Sequence, residues 1–442
     1  MNGRADSHSR FAMKHRLLLL FFFLSSLDGG EKEITIPLAT RRFLSSVAVS
    51  PFTSPSFSED YLQRLRKILV FDIDHNGSCR VEKKGGSDFT IDVAINETKL
   101  SALITPKRSG TGKSIGPYTL TGDRCRDRHL IHQLADDLTS IMTGTRGISR
   151  SKILFSIQFT EKEDRRYRYK SEIWEVDYDG ENKKQVTREN SYCITPVFFP
   201  AVGAFTADKF LYVNYKNGQP KIYLGSFKDE RGKPLIHLRG NQLLPAISKK
   251  GDRLAFISDA GGRADLFVQL FSKSRGPVGK PMQVYSYPNS VQASPTFRPD
   301  GKKIAFVSDK NGTPRIFIID TPYPGKRTFS PPLCITKKYR HNTSPCWSPD
   351  GKKLAYSAMI DGIRQIMVYD FPMKEEIQLT AGGSHKENPS WAPNSLHLIY
   401  NTADPSSSEL FLVNVKQKEA LQITTGPGKK HYPAWEPMRG PL

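Results

Sequence analysis

Long apolar runs are missing from this sequence. A helix that crosses a bilayer needs ~20 consecutive apolar residues, and no stretch of the 442 residues comes near that length. With 38% hydrophobic and 25% charged residues, the composition is that of an ordinary globular protein. We therefore expect any association with a membrane to be peripheral.

Cysteine is also scarce, and its spacing excludes a metal framework. The five cysteines form no C-x-x-C pair and no zinc-finger spacing, so we predict neither a metal nor another cofactor. Cys79 and Cys125 could pair in an oxidising compartment. The alternative is five isolated, buried or half-buried cysteines, and the odd number leaves at least one free thiol in either case.

The first 44 residues indicate export. Residues 13–16 are mostly basic, residues 17–24 form an unbroken apolar run, and small residues follow, which is typical of a secretory signal peptide. We predict a signal peptide over residues 1–30 and a mature tail over residues 31–44. A membrane anchor is the alternative, but the run is too short to span a bilayer.

Positive charge is in excess. The 65 Lys and Arg against 44 Asp and Glu give a net charge of +21, which ordinarily favours a nucleic-acid partner. Export argues against that partner, and we expect none. The charge suits work beside anionic envelope polymers, and a solvated basic surface explains it equally well.

A repeat organises the chain from about residue 150 onward. Residues 295–309 (PTFRPDGKKIAFVSD) and 345–357 (PCWSPDGKKLAYS) are its clearest copies, and the period is 44 to 50 residues. Four apolar segments per period, the last at pairs such as Ile335-Thr336, predict the four strands of a propeller blade. Six copies begin, at Pro196, Pro245, Pro295, Pro345, Pro389 and Pro433.

The two ends of the repeat region complement each other. The first repeat, near Lys152, has no Pro-x-aromatic strand before it, and the last copy, at Pro433, has no strands after it. We predict that the C-terminal strand completes the first blade and closes the ring. The predicted fold is mainly β, a six-bladed β-propeller over residues 149–442.

Residues 45–148 do not repeat, and their pattern is mixed. Residues 46–50 and 89–95 are typical of strands, whereas residues 59–69 and 132–142 have helical spacing. We predict a small α/β domain packed against the propeller.

Two motifs resemble chemical sites. Residues 112–116 (GKSIG) match the nucleophile-elbow pattern, but Pro117 stands where a helix should begin, so we predict a flexible loop. Residues 72–77 (DIDHNG) resemble the start of a calcium loop, but Lys83 stands where the bidentate carboxylate belongs. We predict a tight turn there.

The linker, the repeats and the C-terminal strand together resemble the TolB family, the periplasmic components of the Tol-Pal envelope system of Gram-negative bacteria. The resemblance rests on residues 348–356 (SPDGKKLAY) and 432–435 (YPAW). It rests above all on the linker at 132–147, with His132-x-x-Ala-Asp-Asp and Thr143-Gly-x-Arg-Gly. It covers nearly the whole predicted mature chain and implies an α/β domain followed by six blades.

The resemblance implies a non-enzymatic periplasmic scaffold. Family members bind the peptidoglycan-associated lipoprotein Pal at one mouth of the propeller and the inner-membrane protein TolA through the mature tail, here residues 31–37. This implies a role in outer-membrane integrity and envelope constriction during cell division. The implied partner-binding residues lie near the start of the inner strands: Asn241, Gln292, His341, Asn342, Thr343, His385, Lys386, Glu387 and His431.

Three of these residues also support an enzyme as the alternative. His341, His385 and His431 come from successive blades, and such clusters hold metals in propeller lyases. Only two of them stand in register before an inner-strand proline, and no carboxylate set accompanies them. His341 also stands one or two blades later than the His-Asn motif of the family, and blade two carries a five-residue insertion before Phe210.

Overall fold

The computed structural model describes residues 44–82, 86–163, 166–200, 208–272, 274–322, 331–417 and 419–437. The predicted signal peptide and residues 31–43 of the predicted tail lie outside these ranges. Within them, no helix is long and apolar enough to cross a membrane. The described chain contains a mixed α/β sheet region and six four-stranded sheets.

The α/β domain is a five-stranded sheet with two helices. Its elements are β1 (Ser45–Val49), α1 (Glu59–Asp74), β2 (Cys79–Val81), β3 (Phe89–Asn96), β4 (Lys99–Pro106), β5 (Lys113–Thr119) and α2 (Arg124–Thr143). The strand order is β2-β1-β3-β4-β5, and β1 runs parallel to both of its neighbours. Alternate residues of β3 are buried in one apolar core with residues of both helices. The predicted small α/β domain is confirmed.

Capping residues set the ends of the helices. The side chain of Ser58 accepts a hydrogen bond from the Tyr61 N–H at the start of α1, and Asp123 accepts from the Arg126 N–H at the start of α2. Helix α2 ends at Gly144, whose φ is 68°. Both helices are longer than predicted, because the apolar spacing marks only the part of each helix that faces the core.

Of two local predictions, one is wrong and the other is right only in part. Residues 113–119 form the edge strand β5 rather than a flexible loop, because their backbone pairs with β4. Asp72 lies in the last turn of α1, so the reversal begins only at His75. Asp72 is buried and bonded to His132 and Tyr178, which leaves its carboxylate engaged inside the molecule.

The cysteines are all free thiols. Cys79 is buried on β2, whereas Cys125 is exposed in the first turn of α2. The disulfide considered for this pair is not formed. Isolated cysteines are what the structure contains, although Cys125 is more exposed than that alternative expected.

Six antiparallel sheets form the rest of the described chain. Their strands are β6 (Lys152–Glu163), β7 (Arg166–Asp177), β8 (Lys184–Gln185), β9 (Cys193–Phe198), β10 (Lys209–Asn214), β11 (Lys221–Ser226), β12 (Asp229–Pro234), β13 (Gln242–Ile247), β14 (Arg253–Ser258), β15 (Asp265–Ser272), β16 (Gly276–Tyr285), β17 (Gln292–Phe297), β18 (Lys303–Ser308), β19 (Arg315–Asp320), β20 (Leu333–Cys334), β21 (Arg340–Trp347), β22 (Lys353–Ile360), β23 (Ile363–Asp370), β24 (Glu375–Gln378), β25 (Lys386–Trp391), β26 (His397–Thr402), β27 (Leu410–Asn414), β28 (Ala420–Gln422) and β29 (Lys429–Trp435). From the inner strand outward, the sheets are β29-β6-β7-β8, β9 to β12, β13 to β16, β17 to β20, β21 to β24 and β25 to β28. Each inner strand contacts the next one around the ring, and β29 contacts β9. The six-bladed propeller is confirmed.

The C-terminal strand closes the ring as predicted. In the register of β29 with β6, Trp435 lies opposite Ile153. The Trp435 indole N–H donates to Ser151 Oγ at 2.8 Å, and the Glu436 N–H donates to the Lys152 carbonyl at 2.8 Å. The first blade is therefore held together by the two ends of the repeat region.

The core lies between the sheets. The second strand of every blade places one aromatic ring at an equivalent, fully buried position: Phe155, Tyr212, Phe256, Phe306, Tyr356 and Tyr400. Each ring lies in an apolar cluster that takes residues from neighbouring blades. The blades are thus joined by burial of apolar surface, which is the main favourable contribution to folding.

The outer strands end before the Thr pairs that predicted them. In four blades the threonine of the pair accepts a hydrogen bond from the N–H of a fully buried Ile or Leu on the third strand, as Thr336 Oγ1 does from the Ile316 N–H at 3.1 Å. The hydroxyl satisfies a backbone donor that no strand pairs. In these four blades the predicted signal therefore marks the end of the outer strand, whereas in the third blade Val284 and Tyr285 lie within β16.

A bulge interrupts every inner strand at the same place. The residue before the inner-strand proline has a positive φ between 45° and 54° in all six blades: Thr195, Leu244, Ser294, Ser344, Asn388 and Tyr432. The register with the second strand shifts at this point in each sheet. A bulge bends a strand and redirects its side chains, so the start of each inner strand presents its residues differently from the rest.

The α/β domain contacts the ring at blades one and six. Asn394, in the turn between β25 and β26, donates to the Asn76 carbonyl at 3.5 Å. Tyr178, in the turn that follows β7, donates to Asp72 on α1. Both turns lie at the end of the sheets where the inner strands finish. We keep residues 45–148 and 149–442 as the proposed domain limits, although Ile148 already packs with the ring.

Candidate partner-binding surface

One rim of the ring is built from the segments that lead into the inner strands. These segments are residues 186–192, 235–241, 286–291, 335–339, 379–385 and 423–428, and the turns between second and third strands lie beside them. We call this rim the mouth surface. The predicted partner-binding residues all lie in these segments or in the first residues of the inner strands, at the rim opposite the α/β domain.

Asn241 is fixed by an aspartate from its own blade. Its backbone N–H and its side-chain amide donate to the two oxygens of Asp259 at 2.6 and 2.8 Å. Gly240 allows this contact, because a Cβ at that position would lie 2.2 Å from Asp259 Oδ1. Val291 N–H donates to Asp309 in the same way at 2.7 Å. The mouth segments are therefore held in place before any partner arrives.

Three of the predicted contact residues are buried, and Lys386 is the most exposed of them at 8%. Gln292 and Asn342 are 1% and 0% exposed. The Asn342 amide donates to the Tyr339 carbonyl at 2.8 Å, and the Gln292 amide contacts Ser290. Within the described residues, neither amide oxygen has a hydrogen-bond partner. These buried side chains therefore stabilise the mouth segments and do not face a partner. Their positions in the sequence did not indicate that they are buried.

Arg364 joins blades five and six at the mouth, and the sequence analysis missed it. Its guanidinium donates to Thr343 Oγ1 at 3.1 Å and lies 3.0 Å from Glu387 Oε1. Its backbone N–H donates to His385 Nδ1 at 3.1 Å, so the proton of the neutral imidazole lies on Nε2. Three predicted residues from two blades thus meet at one arginine on β23.

The three mouth histidines do not come together. His341 is exposed, His385 is held by Arg364, and His431 is half-buried beside Ser408. Burial, reinforced by the charge of Lys429, lowers the pKa of His431 to about 4. Their donor atoms are not among those that lie within 4.8 Å of one another in the described residues. The geometry therefore gives no support to the lyase-like metal site.

Aromatic and cationic side chains beside Gln292 form a patch that the sequence analysis also missed. Tyr287 and Val291 are 43% and 41% exposed. Lys310 Nζ lies 5.7 Å from the ring centroid of Tyr287 and 4.6 Å from that of Phe317. Cation–π contacts of this kind hold a lysine in place, and exposed aromatics are common anchors in interfaces.

Six four-stranded sheets around one ring, closed by the two ends of the repeat region and joined to an α/β domain, define a β-propeller protein. The solved TolB of Acinetobacter baumannii has the same fold: it superposes with a TM-score of 0.70 at 20% identity, over 89% of this chain and 97% of that one. The model of the TolB beta propeller domain matches residues 140–439. This chain belongs to the TolB family.

Curated relatives carry the same family name. A TolB homolog of Protochlamydia amoebophila is 43% identical over 307 residues, which cover 64% of this chain and 65% of the relative. A TolB homolog of Chlamydia abortus is 37% identical over 278 residues, 62% of this chain and 64% of the relative. The chain thus matches slightly less than two thirds of the length of these relatives.

Proposed function

We propose that this chain is a non-enzymatic scaffold of the Tol-Pal system, which binds the peptidoglycan-associated lipoprotein Pal at the mouth surface in the periplasm. The observation that carries the proposal is the match of the TolB family model across the propeller. The proposed cellular role is to maintain the outer membrane and to assist envelope constriction during division.

The construction of the mouth surface supports docking of a protein. Asp259 and Arg364 fix the neighbouring segments through charged hydrogen bonds, so little conformational freedom is lost when a partner binds. His341, Tyr287 and Val291 remain exposed on these fixed segments. A rigid rim with exposed aromatic and polar groups suits a protein interface.

Export and a second partner belong to the same proposal. We propose that residues 1–30 are a signal peptide that is removed, and that the tail at residues 31–44 engages a TolA-like inner-membrane protein. N-terminal sequencing of the exported protein checks the cleavage. A mature protein that begins at residue 1 contradicts it.

Calorimetric titration with Pal from the same organism, prepared without its lipid anchor, tests the docking site. We expect His341→Ala combined with Tyr287→Ala to weaken binding by roughly thirtyfold or more, because truncation of an interface anchor typically costs about 1–2 kcal/mol.

Met373→Ala is the matched control. Met373 is 61% exposed in the turn between β23 and β24, at the rim opposite the mouth surface. It should bind Pal with the affinity of the unchanged chain. Equal Pal affinity in the mouth variant and in the control would refute the site.

A further inference from the structure

A buried histidine at the junction between the α/β domain and the ring has one nitrogen without a partner. His132, on α2, is 2% exposed. Its Nδ1 lies 2.7 Å from Asp72 Oδ2, whereas no hydrogen bond reaches its Nε2 from the described residues. The nearest charged oxygen to Nε2 is Asp179 Oδ2, at 3.8 Å. When Nδ1–H donates to Asp72, the lone pair of Nε2 faces a carboxylate, an unfavourable arrangement that a cation between the two would relieve.

Two aspartates of the first blade surround this nitrogen. Asp177 ends β7 and Asp179 lies in the turn after it, and their oxygens lie within 4.8 Å of each other and of His132. Arg128 donates to both of them, and Tyr178 donates to Asp72. Within the described part of the chain, the basic side chains closest to these aspartates are those of Arg128 and His132. The carboxylates outnumber the permanent cations that contact them.

We propose that His132, Asp177 and Asp179 bind a divalent transition-metal ion that joins α2 to the first blade. Imidazole nitrogen and carboxylate oxygen are ligands that Zn²⁺ accepts readily. Asp72 supports the site in the way that carboxylates support metal-binding histidines, since it fixes the ring and directs the free nitrogen toward the ion. The ligands come from two regions of the molecule, so the metal stabilises their contact.

Arg128 competes with the metal for this site. Its guanidinium contacts both oxygens of Asp179, and an ion bound there must displace it from at least one oxygen. Two cations close together also repel each other. The affinity of the site is therefore set by this competition, and removal of Arg128 should raise it. If the two aspartates serve only in a salt bridge with Arg128, removal of Arg128 should not create a Zn²⁺ site.

Zinc titration of the untagged chain tests the proposal. Cys125 is exposed and His129 stands one helical turn after it, so Cys125→Ser is used as the background to remove an adventitious pair. In that background we expect one saturable Zn²⁺ site, bound about tenfold more tightly by Arg128→Gln and about tenfold or more weakly by His132→Gln.

Exposed His129 provides the matched control on the same helix. His129→Gln should bind Zn²⁺ like the background protein, and Co²⁺ bound to Arg128→Gln should lose its visible absorption when His132 or Asp177 is replaced by Gln or Asn. Asp177→Asn keeps the measurement decisive if His132→Gln does not fold. The proposal is overturned if Arg128→Gln binds no saturable Zn²⁺, or if His132→Gln and His129→Gln bind it equally.

Discussion

The contacts between blades and the contact between the α/β domain and the ring differ in chemistry. Between blades most of the buried groups are apolar: Phe306 lies with its ring centroid 5.1 Å from Tyr285 and 6.1 Å from Phe317. Between the domain and the ring, buried Asp72 holds His132 and Tyr178 by hydrogen bonds. The propeller therefore owes its stability mainly to area removed from water, whereas the contact with the domain adds a buried polar network to the apolar packing of Phe71 against the first and sixth blades.

This difference predicts different sensitivities. Apolar contacts tolerate changes of shape so long as volume is kept. A buried polar network fails when one member is lost, because the remaining members are left without partners. Deletions and substitutions in the two regions can separate these behaviours.

Removal of residues 432–442 should have the largest effect. It takes away most of β29, and Ile153 of β6 then loses Trp435. The first blade opens and exposes the edge of β6, so we expect the cooperative melting transition to disappear. Calorimetry measures it. Removal of residues 438–442 alone spares β29 and should melt normally; identical melting of both truncations contradicts closure of the ring.

Phe306→Ala should be the next most damaging change. The phenyl group of Phe306 is fully buried between blades. Loss of a buried phenyl group typically lowers the free energy of unfolding by about 3–5 kcal/mol. Urea unfolding measures the difference. Phe159→Ala is the control, since Phe159 is 38% exposed, and it should change the free energy of unfolding by only ~0.5 kcal/mol. Similar losses in the two variants would show that burial is not what joins the blades.

Asp72→Asn tests the polar contact. An amide cannot accept from both His132 and Tyr178 as the carboxylate does, and we expect a loss of roughly 3 kcal/mol in the free energy of unfolding. Asp60 on the same helix is exposed and pairs with exposed Arg64, so Asp60→Asn should be nearly neutral. A neutral Asp72→Asn would mean that the network does not hold the domain.

A fall in pH should weaken the contact between the α/β domain and the propeller as well, but should lower the free energy of unfolding by less than Asp72→Asn does. Burial, with a contribution from His75, lowers the pKa of His397 to about 3 from 6.5. The folded protein then binds fewer protons than the unfolded chain below pH 6.5, so stability falls as the pH drops from 6.5 toward 3. At pH 5 the loss is about 2 kcal/mol.

The check on this pH dependence is urea unfolding at pH 7.5 and pH 5. His397→Gln should remove that part of the loss, because glutamine does not titrate. His341→Gln, on the exposed mouth, should keep the full pH dependence. Equal dependence on pH in His397→Gln and in the unchanged chain would contradict the burial argument.

The ring was more predictable than the site. The spacing of Pro345 and its counterparts predicts blades, and the missing strand before Lys152 predicts closure, because these depend on local pattern and on the pairing of strand edges. The α/β domain was predicted only in part: β5 pairs with β4 through backbone groups that carry no side-chain signal.

The mouth residues show why the binding surface is harder to predict from the sequence than the fold. Gln292 and Asn342 occupy the right segments, but burial depends on how neighbouring blades cover them. Arg364 was missed because it lies in a strand. Its partner Thr343 is brought to it by the sheet of the fifth blade, and Glu387 by the packing of the sixth blade against the fifth. Contacts between blades have no fixed spacing in the sequence.

Hydrogen exchange of the chain with and without Pal tests most directly whether the mouth surface is the docking site. The account predicts slower exchange at residues 286–292 and 335–343 in the complex, and unchanged exchange at residues 249–252, in a turn on the opposite rim. Protection confined to the opposite rim, with the mouth segments unchanged, would contradict it.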